Sequence, residues 1–243
     1  MDRNEPHMTN SNPILLSVIM PAYNEEAAIA DAVGELQRWV LTALPTAELI
    51  VVDDGSRDDT GRILDKLAAG EPRLRAIHQK NAGHGVALRT GLELARGEYF
   101  FLLDSDRQVP LDAFPGLWEV ARGREGALGV RWPRHDPCFR LMLTKVVRAL
   151  LVLLFRVRLR DANCPFKIVR RSVWAEARDV IPEGTITPSL FLAVWMTRRW
   201  PNIPQHEVPH RIRATGVVSI RRWKLLQTCF QAFQQLWDFR KKL

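Results

Sequence analysis

Two aspartates, Asp104 and Asp106, stand where an apolar run of the chain ends, and Gln108 follows two positions later. Side chains alternate in an extended segment, so all three would lie on the same side of the chain. Carboxylate and amide oxygens are hard ligands that suit Mg²⁺ or Mn²⁺, and such sites leave positions for diphosphate oxygens and water. The spacing therefore predicts a metal site for a diphosphate, while an ordinary loop or helix cap is the alternative for so short a motif.

The segments that would position this motif alternate between strands and helices. Apolar strands are predicted within LLSVIMPAY, ELIVVDDGS, LRAIHQ and EYFFLLD, with amphipathic helices between them. The first helix has apolar residues at helical spacing: Ile29, Val33, Leu36, Val40 and Leu44. Ser56 and Asp59 predict a capping box at the start of the second helix. Repeated β-α units of this kind predict a parallel, doubly wound sheet.

Polar residues follow three of the predicted strands. PAYNEE comes after the first strand, DDGS after the second and DSDRQ after the fourth. Ligands of open parallel sheets bind beyond the carboxyl ends of the strands, so these segments would share one crevice. The chain has neither G-x-G-x-x-G after its first strand nor the G-x-x-x-x-G-K-[ST] of a P-loop. A divalent cation is then the expected means of neutralising a phosphate.

The second half of the chain is less regular. A helix at LDAFPGLWEVARG, a strand at ALGVRW, a basic apolar helix over 141–158 and strands at FKIVRR and QHEVPHRIR are predicted. The tail has an apolar helical face made of Leu225, Leu226, Cys229, Phe230, Phe233, Leu236 and Trp237. The prediction is a disordered leader over 1–12, one α/β domain over 13–219 and a C-terminal amphipathic helix over 220–243.

The composition is that of a globular protein with a basic surface. A formal net charge of +8 and 47% hydrophobic residues suggest a real core and anionic partners, such as phosphates or an acidic membrane face. Three scattered cysteines indicate neither a disulfide framework nor a zinc site, which favours a cytoplasmic location. The apolar stretch Leu141–Phe155 contains Lys145 and Arg148 and is shorter than the roughly 20 residues that cross a bilayer, so no span is predicted.

Several motifs together resemble family 2 glycosyltransferases of the GT-A fold. They are SVIMPAYNEE, LIVVDDGSRDDT, NAGHGVALRTGLELARGEYFFLLDSD and the D-x-D-x-Q of Asp104, Asp106 and Gln108, in the family's order. The nearest branch is that of the polyprenyl-phosphate and dolichol-phosphate sugar transferases. The resemblance implies a Rossmann-like, mostly parallel sheet flanked by helices. It also implies a UDP- or GDP-linked sugar donor and Mg²⁺ or Mn²⁺ as cofactor.

The resemblance implies roles for individual residues. The nucleotide-sugar would be bound by Pro21, Ala22, Tyr23, Glu25, Asp53, Arg89, Asp104 and Ser105. Asp53 would contact the base or ribose, while the metal would be held by Asp104, Asp106 and Gln108.

Structural alternatives stand beside some of these roles. Tyr23 could belong to the core, and Arg89 could pair with a carboxylate across its helix. Asp54, Gly55 and Ser56 could form the turn before a helix.

The second half resembles the same branch more loosely. Arg131 and Arg134 in RWPRHDPCFR and Arg213 in EVPHRIRATGVVS would be catalytic together with Asp104 and Asp106. The planar arginine fork binds two phosphate oxygens at once, which suits a phosphate acceptor. For each arginine the alternative is a solvated basic face.

The residues that could act as a general base indicate which kind of acceptor the chain would use. Many relatives that glycosylate hydroxyl groups carry an acidic pair, and processive ones a Q-x-x-R-W motif. Here Ser219 stands in place of that glutamine, and no two acidic residues are adjacent in the C-terminal half. A hydroxyl must lose a proton to a positioned base, whereas a phosphate is already ionised, so a lipid phosphate is favoured. Asp136 or Asp161 remains as a lone base for a hydroxyl acceptor.

A polyprenyl phosphate lies in a bilayer, so membrane contact is expected. The helix over 141–158 and the tail, with Trp223 and Trp237 between RRWK and RKK, have the basic flanks and aromatic anchors of interfacial helices. The first helix could instead be core, and the tail could contact the domain, a second copy or a membrane-protein partner. The predicted location is peripheral, on the inner face of the cytoplasmic membrane. No nucleic-acid reading module is recognisable.

The sequence is compatible with three functions. The first is metal-dependent, inverting transfer of a sugar to a polyprenyl or dolichyl phosphate. The second is transfer to a glycan hydroxyl in surface-polysaccharide assembly. The third is a catalytically silent nucleotide-binding scaffold at the membrane surface.

Overall fold

The computed structural model describes residues 13–134, 138–185, 187–211 and 222–243, without the side chains of residues 138–140, 222–230 and 232. Its strands are β1 Leu16–Ala22, β2 Ala47–Asp53, β3 Leu74–His78, β4 Tyr99–Leu102, β5 Gly126–Arg131, β6 Lys167–Arg170 and β7 Gln205–Val208. They form one sheet in the order β3-β2-β1-β4-β6-β5-β7. β6 is antiparallel to both of its neighbours, and every other pair is parallel. The predicted α/β class with a mostly parallel sheet is confirmed.

The helices are α1 Ile29–Leu36, α2 Thr60–Gly70, α3 His84–Leu94, α4 Phe114–Ala121, α5 Cys138–Phe155, α6 Arg171–Ala177, α7 Pro188–Arg199 and α8 Arg222–Lys242. α1 continues into a π-helical segment over Gln37–Leu41, and a 3₁₀ turn over Leu111–Ala113 leads into α4. The sequence pattern predicts neither α6 nor α7. All residues of α7 from Pro188 to Val194 are buried, so no polar face reveals a helical period.

The core lies on both faces of the sheet, and β1 shows how the sequence divides it. Val18 and Met20 pack with α1, α2 and α4 into one apolar cluster. Ile19, between them, packs with α3 and with helices α5 to α8 into the other. Alternate residues of a strand face opposite sides, so a strand covered on both faces is apolar throughout. The polar crevice is therefore left to the strand ends.

The last turns of α8 pack on the domain through Phe239, whose ring centroid lies 5.1 Å from that of Phe191. Leu236 is buried beside it, whereas Phe233 and Trp237 are 38% and 45% exposed. The buried stripe thus passes through Leu236 and Phe239, and the predicted apolar face is only partly covered by the domain.

α5 is also covered on one side. Leu151, Leu154 and Phe155 lie in the core, whereas Met142 and Leu153 are exposed. Within the described ranges, no helix has both the length and the apolar character that crossing a bilayer requires.

The predicted capping box before α2 is wrong. α2 begins at Thr60, and its preceding residue Asp59 makes no side-chain capping bond. The Ser56 hydroxyl instead accepts a hydrogen bond from the Asn24 amide at 2.9 Å. Asp58 is the residue that accepts from the Thr60 amide, at 3.0 Å. Contacts between loops have replaced the local cap.

Candidate functional site

The loops after β1 and β2 are bound to each other at the carboxyl edge of the sheet. The Asn24 side-chain oxygen accepts from the Arg57 amide at 2.8 Å, and the Ser56 hydroxyl accepts from the Asn24 amide at 2.9 Å. The Glu26 carboxylate accepts from the Asp59 amide at 3.0 Å. Because β1 also pairs with β4, the loop after β4 comes to the same edge. The three polar strand ends found in the sequence therefore lie together at one edge of the sheet, which forms the candidate crevice.

The β1 side of the crevice is formed by the residues predicted to bind the nucleotide. Pro21 and Ala22 are buried at the end of the strand. Tyr23 follows and is 42% exposed, which excludes the alternative that it belongs to the core. The Glu25 amide donates to the Thr60 hydroxyl at 2.8 Å, so its backbone is fixed against the start of α2.

Asp53 ends β2 as a buried carboxylate with a partner on each oxygen. Oδ1 accepts from the Ser56 amide at 3.0 Å and from the Ser56 hydroxyl. Oδ2 lies 3.1 Å from Nδ1 of His78, which ends β3. A nucleoside contact at Asp53 would thus meet a carboxylate that is already oriented by the protein.

Asp54 shapes the next loop instead of facing a ligand. Its carboxylate accepts from the Gln79 side chain at 2.7 Å and from the Ala82 and Gly83 amides at 2.9 and 2.8 Å. These bonds fix the loop that leads into α3. Gly55 has a φ of +69°, and a Cβ there would lie 2.7 Å from the Asn81 nitrogen. The turn-forming alternative describes Asp54 and Gly55.

The segment that carries Asp104 and Asp106 is a turn, so the expected extended geometry is wrong. β4 ends at Leu102, and Ser105 and Asp106 form the turn. Arg107 then adopts a left-handed φ of 56°, which breaks the alternation of side chains. Strand periodicity therefore does not place the three predicted ligands on one side.

Arg107 anchors this turn to α1. Its guanidinium bonds Asp31 at 2.8 Å and also bonds Glu35. These carboxylates raise the pKa of Arg107, with Glu35 the largest cause. Ser105, inside the turn, is 7% exposed, so its side chain packs inward.

The candidate metal ligands have partly defined surroundings. The Asp104 side chain is 36% exposed, and its Oδ1 lies 3.5 Å from Nε2 of His84 at the start of α3. Asp106 Oδ1 accepts from the Gln108 amide at 3.1 Å, and the Gln108 carbonyl accepts from the Arg211 amide at 2.8 Å. Among the described residues, no group of three or more His, Cys, Asp or Glu side chains could hold a metal.

Arg131 is engaged by a buried carboxylate. Its Nε and Nη2 bond Asp161 at 2.7 and 3.0 Å. Arg134 lies 3.9 Å from the same carboxylate and donates to the Thr144 hydroxyl at 3.1 Å. Although burial opposes ionisation most strongly, the bonds from Arg131 and the nearby cations give Asp161 a lowered pKa. Two nitrogens of the Arg131 guanidinium are thus bound by Asp161, and the catalytic role expected for Arg131 stays a prediction.

Arg89 pairs with a carboxylate on its own helix, as the alternative interpretation of this residue predicted. Its Nε donates to Glu93 at 2.9 Å, and its Nη2 lies 3.6 Å from Glu183. These two carboxylates face its guanidinium, and the predicted contact of Arg89 with the nucleotide-sugar stays a prediction. Arg213 and Asp136 lie outside the described residues.

Sequence reasoning missed three basic residues near this edge. His84 lies beside Asp104, and His78 beside Asp53. Lys167 is fully buried and donates to the Ser189 hydroxyl at 2.8 Å and to the Cys164 carbonyl. For the histidines, their position at the end of a strand or the start of a helix was the available signal. Lys167 lies in an apolar strand pattern, and a lysine there is itself a signal because lysines are rarely fully buried.

Comparison with known proteins identifies relatives. The sequence profile described as Glycosyl transferase family 2 matches residues 17–175. An undecaprenyl-phosphate 4-deoxy-4-formamido-L-arabinose transferase of Pseudomonas aeruginosa (strain LESB58) is 29% identical over 219 residues, which are 89% of this chain and 63% of that protein. The homologous transferase of Shewanella sediminis is 30% identical over 85% of this chain and 62% of its own length.

A third relative is glycosyltransferase AglD of Haloferax volcanii, which is 32% identical over 74% of this chain and 30% of its own length. The chain therefore spans less than two thirds of these relatives. Among solved structures, glucosyl-3-phosphoglycerate synthase of Mycobacterium tuberculosis, in complex with Mn²⁺, UDP and glucosyl-3-phosphoglycerate, superposes with a TM-score of 0.70. The match covers 93% of this chain and 80% of that one at 22% identity, and it shows the shared fold.

Proposed function

The chain belongs to glycosyl transferase family 2, and we propose from this that it transfers a sugar from a nucleotide-sugar to a polyprenyl phosphate. The observation that carries the proposal is the shared crevice after β1, β2 and β4, which brings Asp53 and the Asp104–Asp106 turn to one edge of the sheet. The similarity to two undecaprenyl-phosphate sugar transferases supports the lipid acceptor.

A divalent cation fits the donor set of the crevice. Asp104 and Asp106 supply hard oxygen atoms, and the Asp104 side chain is partly exposed. Mg²⁺ in particular is commonly held by one or two carboxylates together with substrate phosphates. Few protein ligands are therefore enough, and the diphosphate of the donor would complete the coordination. The Mn²⁺ and UDP in the complexes of glucosyl-3-phosphoglycerate synthase support a donor and cation of this kind.

The reaction would be a single in-line displacement. A phosphate oxygen of the acceptor forms the new bond to the anomeric carbon while the bond to the nucleoside diphosphate breaks, so the configuration inverts. A bound cation would supply Lewis-acid stabilisation of the leaving diphosphate. Asp53 would hold the nucleoside, the Asp104–Asp106 turn would orient the diphosphate, and Arg134 and Arg213 would attract the acceptor phosphate.

The surroundings of Asp161 favour a phosphate acceptor over a hydroxyl. A general base needs a pKa near the working pH and must reach the proton that it removes. Asp161 is buried, is bound by both arms of Arg131 and has a lowered pKa. It is therefore a poor base. An ionised phosphate needs no base, which supports this acceptor, while Asp136, the other candidate base, lies outside the described residues.

The surface of α5 and α8 supports the proposed contact with a membrane. Met142 and Leu153 of α5 and Trp237 of α8 are exposed apolar side chains. Lys145 and Arg148 are exposed on α5, and basic residues end α8. Apolar and basic side chains on one helix are typical of interfacial binding. These features support our proposal that the enzyme binds peripherally to the inner face of the cytoplasmic membrane.

Donor binding tests the proposal most directly. Calorimetry with UDP and with GDP, each with Mn²⁺ and with EDTA, would compare wild type, Asp106→Asn and the matched control Asp112→Asn. We expect one nucleotide to bind with Mn²⁺, binding to be lost in Asp106→Asn, and Asp112→Asn to resemble wild type. Sugar transfer to undecaprenyl phosphate in vesicles would then test the acceptor. Binding without any transfer would favour the silent scaffold, and no binding by folded wild type would overturn the donor proposal.

A further inference from the structure

The ring of His78 lies between two carboxylates from different elements. Its Nδ1 is 3.1 Å from Asp53 Oδ2 on β2, and its Nε2 is 2.9 Å from Asp65 Oδ1 on α2. Asp53 is almost wholly buried, whereas Asp65 is exposed. The histidine thus links a solvent-facing carboxylate to one at the candidate nucleotide site.

Two carboxylate partners require two N–H donors. A neutral imidazole has a single N–H, and its other nitrogen is an acceptor, so only the cationic ring can donate to both carboxylates. Asp65 in first place, and Asp53 in second, raises the pKa of His78 above its ordinary value. Among the residues that the structure describes, the charged groups found to act on the ring are these two aspartates.

The cationic ring fixes Asp53 from one side, and Ser56 fixes it from the other. The Ser56 amide and hydroxyl donate to Oδ1, and His78 donates to Oδ2. Gly61 of α2 packs against the same oxygen, since a Cβ there would lie 3.0 Å from Oδ2. Loss of one proton would leave the ring a single N–H for two carboxylates, so Asp53 would have to share this donor with Asp65.

We propose that His78 is a positioning residue for donor binding, which acts by holding the Asp53 carboxylate in the orientation that receives the nucleoside. This inference rests on the proposed function, since it needs a nucleotide at Asp53. Asp65 takes part indirectly, because it is the largest cause of the raised pKa of His78. Nucleotide affinity should then fall as the pH rises through the raised pKa of His78.

The outer carboxylate offers the cleanest test, because Asp65 is exposed and its replacement leaves the core intact. Calorimetry with Mn²⁺ and UDP or GDP, whichever wild type binds, would be run from about pH 6 to about pH 9, which covers the ordinary histidine pKa of about 6.5 and the region above it. The variants are Asp65→Asn, His78→Gln and the matched control Asp59→Asn, which removes an exposed charge just before α2. Titration of the nucleotide itself is common to all variants and cancels in the comparison.

We expect Asp65→Asn to weaken nucleotide binding measurably near neutral pH, because the variant lacks the carboxylate that raises the pKa of His78 most. Its affinity should fall at a lower pH than that of wild type. His78→Gln should bind weakly with no such pH dependence, and Asp59→Asn should follow wild type.

Identical affinity and pH profiles in wild type and Asp65→Asn would overturn the positioning role and leave the proposed function intact. Failure of wild type to bind either nucleotide would overturn the proposed function, and the role of His78 with it.

Discussion

Asp161 receives both arms of the Arg131 guanidinium, with Nε at 2.7 Å and Nη2 at 3.0 Å. The two side chains are 2% and 12% exposed, respectively. They come from segments thirty residues apart in the chain, at the end of β5 and before β6. The pair therefore joins the end of β5 to the segment that leads into β6.

Breaking this pair should destabilise the protein strongly. Arg131→Ala leaves the buried Asp161 carboxylate with fewer partners, and loss of one member of a buried pair typically costs about 3–5 kcal/mol. The neighbouring Arg134 compensates in part, so we expect a loss near the lower figure in urea unfolding. Arg122→Ala breaks an exposed pair with Glu119 and should cost at most about 1 kcal/mol. Equal losses of stability in the two variants would contradict the prediction that the Asp161 pair stabilises the fold.

Substitutions at two glycines with left-handed backbone can distinguish backbone strain from steric clash. Gly55 and Gly123 have φ values of +69° and +75°, but only Gly55 has a close neighbour, the Asn81 nitrogen at 2.7 Å from a built Cβ. Alanine at either position adds about 1–2 kcal/mol of backbone strain. Gly55→Ala should lose at least about 1 kcal/mol more than Gly123→Ala in urea unfolding, because a clash with backbone cannot be relieved by a side-chain rotation. Matching losses would show that the loop at Asn81 moves freely.

Replacing the Asp54 carboxylate by an amide should lower the stability of the fold. In Asp54→Asn the amide group would face an N–H donor at one of the contacts with Gln79, Ala82 and Gly83. An unmet buried donor costs about 1–3 kcal/mol. Hydrogen exchange of the Ala82 and Gly83 amides should quicken in this variant. Asp58→Asn, which keeps an acceptor for the Thr60 amide, serves as the control. If these two amides exchange as slowly in Asp54→Asn as in wild type, the Asp54 carboxylate does not hold the loop in place.

The parallel half of the sheet could be predicted because its sequence signals are local. The apolar run of β1 and the spacing of Ile29, Val33 and Leu36 on α1 each follow from the period of a single element. The candidate metal ligands were proposed in the same way, since Asp104 and Asp106 follow such a strand, whereas the nucleotide-binding residues were implied by the family resemblance.

The contacts that were missed join distant parts of the chain. Ser56 bonds Asn24 instead of capping α2, and Asp161 meets Arg131 across thirty residues. No period in the sequence encodes such pairs. The geometry at Asp106 was missed for another reason: a left-handed residue at Arg107 carries little signal when it is neither glycine nor asparagine.

Lys167 and Cys164 should give the folding stability opposite slopes with pH. Burial lowers the pKa of Lys167 to about 8. The unfolded lysine then holds more protons than the folded one between about pH 8 and its ordinary value of about 10.4. Stability rises with pH wherever the unfolded state binds more protons, so Lys167 alone makes the protein more stable across this window.

The thiol acts in the opposite direction. Burial raises the pKa of Cys164 to about 11, while an unfolded thiol ionises near 8.5. The folded state then holds the extra proton, so Cys164 contributes stability that is lost as the pH rises between these values. Each group contributes a slope of at most about 1.4 kcal/mol per pH unit, and the two nearly cancel in wild type.

Single substitutions should separate the two slopes. In urea unfolding between about pH 8 and about pH 10, Lys167→Met should make stability fall more steeply with pH than in wild type, because the thiol then acts alone. Cys164→Ala should give the reverse, a relative rise with pH from the lysine. The double variant should return to the shallow wild-type dependence, which controls for the cavity and the lost hydrogen bonds. Parallel curves for all four proteins would show that Lys167 and Cys164 titrate in the fold as they do in the unfolded chain.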